Sequence, residues 1–120
     1  MEFNEPKGIY LQISDQICVR ILQKEWATGE RIPSIRELAV ELAVNPNTVT
    51  KSYQVLLDRE VISNQRGKGY FVSEGAEEKI LSLMKNEFIE EELPRLAHSM
   101  KVLGIDIDEL KAYLKRADVS

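Results

Sequence analysis

Apolar residues recur every three or four positions along most of the chain, a spacing that places side chains on one face of an α-helix. The first stretch with this spacing contains Tyr10, Ile13, Ile17 and Ile21. Residues 28–30 end it, and residues 32–33 should be extended because the residue before a proline disfavours helical backbone. The pattern therefore predicts one amphipathic helix and then a short extended segment.

Two further helices are predicted by their capping residues. Ser34 and Glu37 have the spacing of a capping box, in which each side chain accepts a hydrogen bond from the other's backbone N–H. Asn45 suits an N-cap, and Pro46 suits the first helical position, where its missing N–H costs nothing. The third helix then has one apolar stripe and one polar, nearly uncharged face, which contains Asn47, Thr48, Thr50, Lys51 and Gln54.

A β-hairpin should follow the third helix. The β-prone residues 61–63 and 70–72 flank the glycine-rich turn 64–69, with the sequence NQRGKG. A composition change at Glu74 and Gly75 predicts a linker at that point.

Helical spacing returns after residue 75 and defines a tail. Its apolar positions are Ile80, Leu83, Met84, Phe88, Leu96, Met100, Leu110 and Leu114. Pro94 lies inside this run, which predicts one kinked helix or two separate helices. Gly104 suits a helix C-cap, and Asp106 with Glu109 repeats the capping-box spacing. Because two helices cannot close a core alone, the stripe predicts a homodimer, and residues up to Ser73 should fold without the tail.

Composition narrows the classes of protein. The chain has 120 residues, of which 43% are apolar, so it holds one ordinary domain and has no room for a large catalytic scaffold. Cys18 and His98 are the single cysteine and histidine, which predicts no metal site, with Cys18 packed as a small hydrophobe and His98 at the surface. No apolar run is long enough for a membrane span, and the acidic start lacks signal-peptide features, so we expect a cytoplasmic protein.

The net charge of -4 argues at first against a nucleic-acid partner. However, residues 31–69 contain six basic and four acidic residues, whereas residues 74–120 contain seven basic and eleven acidic ones. The one positive segment therefore coincides with the predicted helix pair and hairpin.

Three motifs follow one another along the chain: residues 29–39 (GERIPSIRELA), 44–49 (VNPNTV) and 66–72 (RGKGYFV). Together they resemble the GntR family of winged-helix regulators. The tail, including residues 103–105 (LGI), resembles the YtrA-type subfamily, whose small two-helix extension dimerises the protein. The resemblance implies a mainly α fold with a small β-hairpin, in which a winged helix-turn-helix DNA-binding domain (residues 6–75) precedes a short helical dimerisation tail (residues 76–120).

The resemblance also implies which side chains contact DNA. Arg36 would contact phosphates with Ser34 nearby, the third helix would lie at the major groove, and the hairpin turn, or wing, would reach the minor groove. The predicted DNA-binding residues are Ser34, Arg36, Asn45, Asn47, Thr48, Thr50, Lys51, Arg66, Gly67, Lys68 and Gly69. Some family members have arginines where this chain has Pro46 and Thr50, and Val61 replaces a common glycine, so the operator sequence cannot be carried over.

The sequence thus predicts a transcription regulator, specifically a repressor, that binds an inverted-repeat operator as a homodimer. No cofactor is predicted, and the sequence does not indicate whether a small-molecule effector binds. An enzyme is disfavoured because the chain has no phosphate loop, nucleophile motif or metal cluster. A winged helix that binds another protein is harder to exclude, since a fold does not dictate its function.

Overall fold

The computed structural model describes residues 8–119, so the predicted domain ends at Pro6 and Ser120 lie outside the described residues. The chain forms two compact units that meet between Ser82 and Leu83. The elements are α1 (Ile9–Leu22), α2 (Ile35–Leu42), α3 (Pro46–Asp58), β1 (Ile62–Gln65), β2 (Gly69–Val72), α4 (Ala76–Glu87), a π-helical segment (Phe88–Glu92), α5 (Leu93–Leu103) and α6 (Ile107–Arg116). The predicted fold class, mainly helical with one small hairpin, is confirmed.

The first unit has a continuous apolar core to which every one of its elements contributes. Its largest fully buried side chains include Ile17 and Ile21 of α1, Leu38 of α2 and Tyr53 of α3. Helix α1 packs against α3, and α2 packs against α3 across a short turn. This arrangement holds α3 by its apolar stripe and leaves the opposite face of the helix free.

The hairpin has a third extended partner. β1 and β2 pair antiparallel, with Ile62 opposite Val72 and Gln65 opposite Gly69. On the other edge of β2, Ile32 N–H donates to the Tyr70 carbonyl at 2.9 Å, and Arg31 forms a bridge with Phe71. The sequence predicted extended backbone at residues 32–33 but not this pairing, which ties the start of α2 to the hairpin.

The predicted helix caps are confirmed. Ser34 with Glu37, and Asp106 with Glu109, form complete capping boxes. Asn45 caps α3 with Pro46 in its first turn, and Gly104 ends α5 in the left-handed conformation. These local signals fix where each helix begins or ends.

Pro94 perturbs the tail without ending the helical run. The five residues Phe88–Glu92 form a π-helical segment between α4 and α5. Proline has no N–H to donate to the carbonyl of Glu90, four residues earlier, so the regular α-helical hydrogen-bond pattern cannot continue there. The disturbance that the sequence predicted is therefore a local widening of the helix.

The first turns of α4 belong to the core of the first unit. Ala76 and Ile80 are 0% and 1% exposed, and both are part of its apolar cluster. The structure thus places Ile80 inside the first unit rather than on the exposed tail surface. A chain ending at Ser73 would lack both side chains, so the tail cannot be removed there without opening the core.

The left-handed residue before β1 is Glu60, with φ 61°. The resemblance aligns a common family glycine with Val61. However, Val61 is fully buried and its backbone is not left-handed. The position at which glycine would relieve backbone strain therefore lies one residue earlier than the sequence comparison suggested.

Candidate nucleic-acid interface

The first turn of α2 presents Ser34 and Arg36. The Ser34 hydroxyl accepts a hydrogen bond from Glu37 N–H at 3.1 Å, and the Glu37 carboxylate accepts one from Ser34 N–H at 2.8 Å. Hydrogen bonding of the Glu37 carboxylate by the backbone and then the side chain of Ser34, followed by the nearby Arg31 charge, holds the pKa of Glu37 below its usual range. Ser34 is thus occupied in capping the helix, whereas the Arg36 side chain is exposed.

The first turns of α3 are fixed by two more of the predicted residues. The Asn45 side chain accepts a hydrogen bond from Asn47 N–H at 2.7 Å, and the Thr50 hydroxyl donates to the Pro46 carbonyl at 3.0 Å. The side chains of Asn47, Thr50 and Lys51 are exposed. Their spacing of three and four residues places them on one side of the helix.

Thr48 is half-buried and lies at the margin of this exposed face. The Lys51 ammonium lies 6.0 Å from the centre of the Tyr10 ring of α1. Among the described residues, Lys51 is the single cation of the α3 side that faces away from the core, which agrees with the nearly uncharged face seen in the sequence.

Two buried hydroxyl groups of α3 make hydrogen bonds with backbone carbonyls and help to fix the position of the helix. The Ser52 hydroxyl lies within hydrogen-bonding distance of the carbonyls of Tyr10, at 2.6 Å, and Thr48, at 3.1 Å. The Tyr53 hydroxyl donates to the Pro33 carbonyl just before α2. Burial raises the pKa of Tyr53, so this hydroxyl remains a donor throughout the physiological range.

The base of the wing packs on the same tyrosine. The rings of Tyr53 and Tyr70 meet edge to face with their centres 4.9 Å apart. Tyr53 therefore connects three elements that the sequence assigned to DNA binding: α3, the segment entering α2, and β2 of the wing.

The wing turn exposes Arg66, Gly67 and Lys68. Lys68 N–H closes the turn by donating to the Gln65 carbonyl at 2.8 Å. Gly67 has φ +78°, and no other group lies within 4 Å of where its side chain would be, so its backbone is open to an approaching molecule.

Gly69 differs from Gly67 in its surroundings. It has φ +117°, and a Cβ there would lie 2.8 Å from Nε of Arg31. Gly69 therefore makes room for Arg31, an exposed cation that was not among the predicted DNA-binding residues. Its place beside the wing follows from the pairing of residue 31 with β2, which no local pattern of the sequence shows.

The cations that the structure describes in the first unit fall into two groups. Arg20, Lys24 and Lys79 form ion pairs with carboxylates of the same unit. Within residues 8–119, no ion pair involves the six cations of residues 31–69, which are Arg31, Arg36, Lys51, Arg59, Arg66 and Lys68. The positive charge of this segment is therefore available to an external anion.

The second unit presents a different kind of surface. From residue 83 to residue 119, no side chain is buried. Of the predicted dimerisation residues, Leu83, Met84, Phe88 and Leu96 are exposed, whereas Met100, Leu110 and Leu114 are half-buried. Further exposed apolar residues that are not among the predicted dimerisation residues are Ile89, Leu93, Val102, Leu103, Ile105, Ile107, Tyr113 and Val119.

Neither a metal-binding cluster nor a membrane-spanning helix is present in the part of the chain that the structure describes. There, no cluster of three or more His, Cys, Asp or Glu side chains could hold a metal ion. None of the described helices combines the length and the apolar character that crossing a membrane requires.

Comparison with known proteins identifies the first unit. Residues 9–72 match the family model described as bacterial regulatory proteins, gntR family. The chain is 37% identical to the uncharacterized HTH-type transcriptional regulator YhcF of Bacillus subtilis, over 95% of this chain and 93% of that protein. It is 34% identical to the HTH-type transcriptional repressor YtrA of the same organism, over 92% of this chain and 86% of YtrA.

A solved structure extends the likeness to the tail. The crystal structure of a GntR-family transcriptional regulator from Bacteroides thetaiotaomicron superimposes with a TM-score of 0.80 at 45% identity. The match covers 92% of this chain and 97% of that one, so it includes both the three motifs and the helices that follow them.

Proposed function

The chain belongs to the GntR family of bacterial regulatory proteins and is a DNA-binding transcription regulator, and from this premise we propose that it represses transcription by binding an inverted-repeat operator as a homodimer. In this proposal α3 enters the major groove, the first turn of α2 contacts phosphates and the wing reaches the minor groove. The tail joins the two copies.

The observation that carries the DNA interface is a set of five cations that lie before or in the first turn of α2, on the exposed face of α3 and in the wing, and that form no ion pair within the described residues: Arg31, Arg36, Lys51, Arg66 and Lys68. Cations that contact phosphates release counterions from DNA, and this release supplies much of the binding free energy. Arg20, Lys24 and Lys79 of the same unit are instead paired with carboxylates, so their charge is already compensated within the protein. Within this surface we propose that Asn47, Thr50 and Lys51 face base edges and that Arg36 and the wing contact the backbone.

The proposed dimer is supported by the second unit, which has no buried core of its own among its described residues. A segment of fewer than 40 residues rarely folds alone, and this one buries no side chain among residues 83–119. A second copy that covers the exposed apolar residues would stabilise the tail by about 25 cal/mol per Å² removed from water. Twofold symmetry then presents two α3 helices to half-sites roughly 34 to 36 Å apart, which is why we propose an inverted repeat.

Repression is proposed because YtrA of Bacillus subtilis, which aligns over 86% of its own length, carries the name of a repressor. We propose no catalytic activity and no cofactor. We also propose that residues 6–75 provide the DNA-binding domain, whose core includes side chains from the first turns of α4. In this proposal, the part of the tail that begins at Leu83 provides dimerisation.

The proposal is tested by selecting binding sequences for the full-length protein from random duplex DNA and measuring affinity as salt is varied. An enriched inverted repeat, together with an affinity that falls steeply with salt, is the expected result. Enrichment of no sequence, with binding that salt leaves unchanged, would instead favour a winged helix whose partner is another protein.

A further inference from the structure

Arg31 occupies a special position in the first unit. It lies in the extended segment that pairs with β2, opposite Phe71, and its side chain is exposed. Arg31 belongs to the first sequence motif, but the resemblance assigns it no role, and its position beside β2 is not apparent from the sequence.

Two neighbours define where its guanidinium lies. The first is Gly69 of β2, where a Cβ would stand 2.8 Å from Nε and 3.7 Å from Cδ and Cζ of Arg31. The second is Glu37 in the first turn of α2, whose pKa is lowered mainly by hydrogen bonds from Ser34 and in addition by the Arg31 charge. Arg31 is therefore near the wing, which carries Lys68, and near the first turn of α2, which carries Arg36.

Gly69 accommodates this side chain because it has no Cβ. Glycine is the residue type that leaves the space over the β2 backbone empty, and the Arg31 side chain fills that space. The guanidinium thus rests on the wing base without an ion pair to any described carboxylate, and its N–H groups remain free to bind an anion.

We propose that Arg31 binds a backbone phosphate of the DNA, joining the phosphate contacts of α2 to those of the wing. This inference rests on the proposed DNA interface and adds one contact to it. Arginine suits the role because its planar fork binds two phosphate oxygens at once, and a phosphate contact carries no base preference.

The alternative is that Arg31 only stabilises the capping box through its charge near Glu37. The two roles differ in what they change. A capping role would alter the free energy of unfolding and leave the salt dependence of DNA binding intact, whereas a phosphate contact would alter the salt dependence.

The test uses the full-length Arg31→Gln variant, with binding measured by fluorescence anisotropy between about 50 and 200 mM salt. Each lost phosphate contact should reduce the slope of log affinity against log salt by about 0.9, so a dimer should lose about two units. The fold-loss in affinity should be the same for the selected operator and for a random duplex. Arg31→Lys keeps the charge and should retain most of the wild-type slope.

Arg59→Gln is the matched control. Arg59 is also exposed and without an ion pair among the described residues, but it lies at the C-terminal end of α3, away from Asn47 and the first turn. Its slope should equal that of the wild type.

The outcomes separate the two proposals. A wild-type protein without salt-dependent DNA binding would overturn the proposed function itself. A wild-type protein that binds as proposed, with an Arg31→Gln slope unchanged, would overturn only the role of Arg31, and would do so whether or not the variant is less stable.

Discussion

Ala43, in the turn between α2 and α3, has left-handed backbone with φ 56° and ψ 46°. A residue with a Cβ is disfavoured there by about 1 to 2 kcal/mol, whereas glycine adopts the conformation freely. The cost is borne because the turn must bring Asn45 to the start of α3.

We therefore expect Ala43→Gly to raise the free energy of unfolding by about 1 kcal/mol, after allowing for the greater freedom of glycine in the unfolded chain. Urea denaturation of the full-length protein measures the change. Ala39→Gly, in the helical part of α2, is the matched control and should lower stability by at least about 1 kcal/mol. A loss of stability in both variants would show that the turn is unstrained.

The buried thiol of Cys18 should make the free energy of unfolding depend on pH. Burial raises the pKa of its thiol to about 11, with the nearby Asp15 charge contributing less. Above the ordinary thiol pKa, the unfolded chain releases this proton while the folded chain keeps it, so unfolding becomes more favourable. The stabilising contribution is complete below about pH 8.5 and is lost as the pH rises towards 11.

The measurement compares stability against pH for the wild type and Cys18→Ala. Both proteins lose stability in alkali through other groups, including the buried Tyr53, but the wild type should lose more between pH 9 and 11. Parallel curves would mean that the thiol is accessible to water in the folded protein.

Helix caps can be predicted from nearby residues in the sequence, whereas contacts between distant elements cannot. The caps at Ser34, Asn45 and Asp106 were predictable because each depends on residues two or three positions apart. The pairing of Arg31 with β2 and the burial of Ile80 were not, because they depend on neighbours that are distant in sequence. A periodic apolar pattern indicates which face of a helix is buried, but not which partner buries it, so Ile80 was assigned to the tail stripe.

The predicted DNA-binding residues show the same limit of local sequence patterns. The resemblance implies that Ser34, Asn45 and Thr50 contact DNA, and in the structure their side-chain oxygens also make hydrogen bonds within the first turns of α2 and α3. Residue type alone does not distinguish a cap from a contact, since the same oxygen serves either purpose.

The π-helical segment sets the phase between the helix faces on its two sides. Replacing an i→i+5 segment by regular α-helix rotates the residues that follow by about one residue, or roughly 100°. We therefore expect Pro94→Ala to increase α-helix content but to weaken the dimer, because it would change the angle around the helix axis between Phe88 and Leu96. Circular dichroism and sedimentation measure the two effects. A variant that is both more helical and more strongly dimeric would show that the π segment does not set the interface.

For the whole molecule, the central prediction concerns self-association. Phe88 is 51% exposed in the tail, and Phe88→Glu places a charge where the proposed dimer buries an aromatic ring. The variant should be monomeric at micromolar concentrations and bind the operator orders of magnitude more weakly, because one half-site no longer raises the effective concentration at the other. Sedimentation and anisotropy measure both.

Val40→Glu is the matched control, since Val40 is 78% exposed on α2 and lies outside the tail. Its self-association should equal that of the wild type. A dimeric Phe88→Glu protein, or loss of the dimer in both variants, would remove the tail from the proposed interface.

The absence of buried side chains from residue 83 to residue 119 has a consequence for the protein in the cell. With the proposed dimer, a newly made chain displays its apolar tail residues until it meets a second copy, and in that interval proteases and chaperones compete for it. At low expression most copies would be cleared before pairing, and the pool of paired copies would grow faster than in proportion to synthesis. Operator occupancy would then respond to synthesis rate as a threshold, even without a signalling ligand.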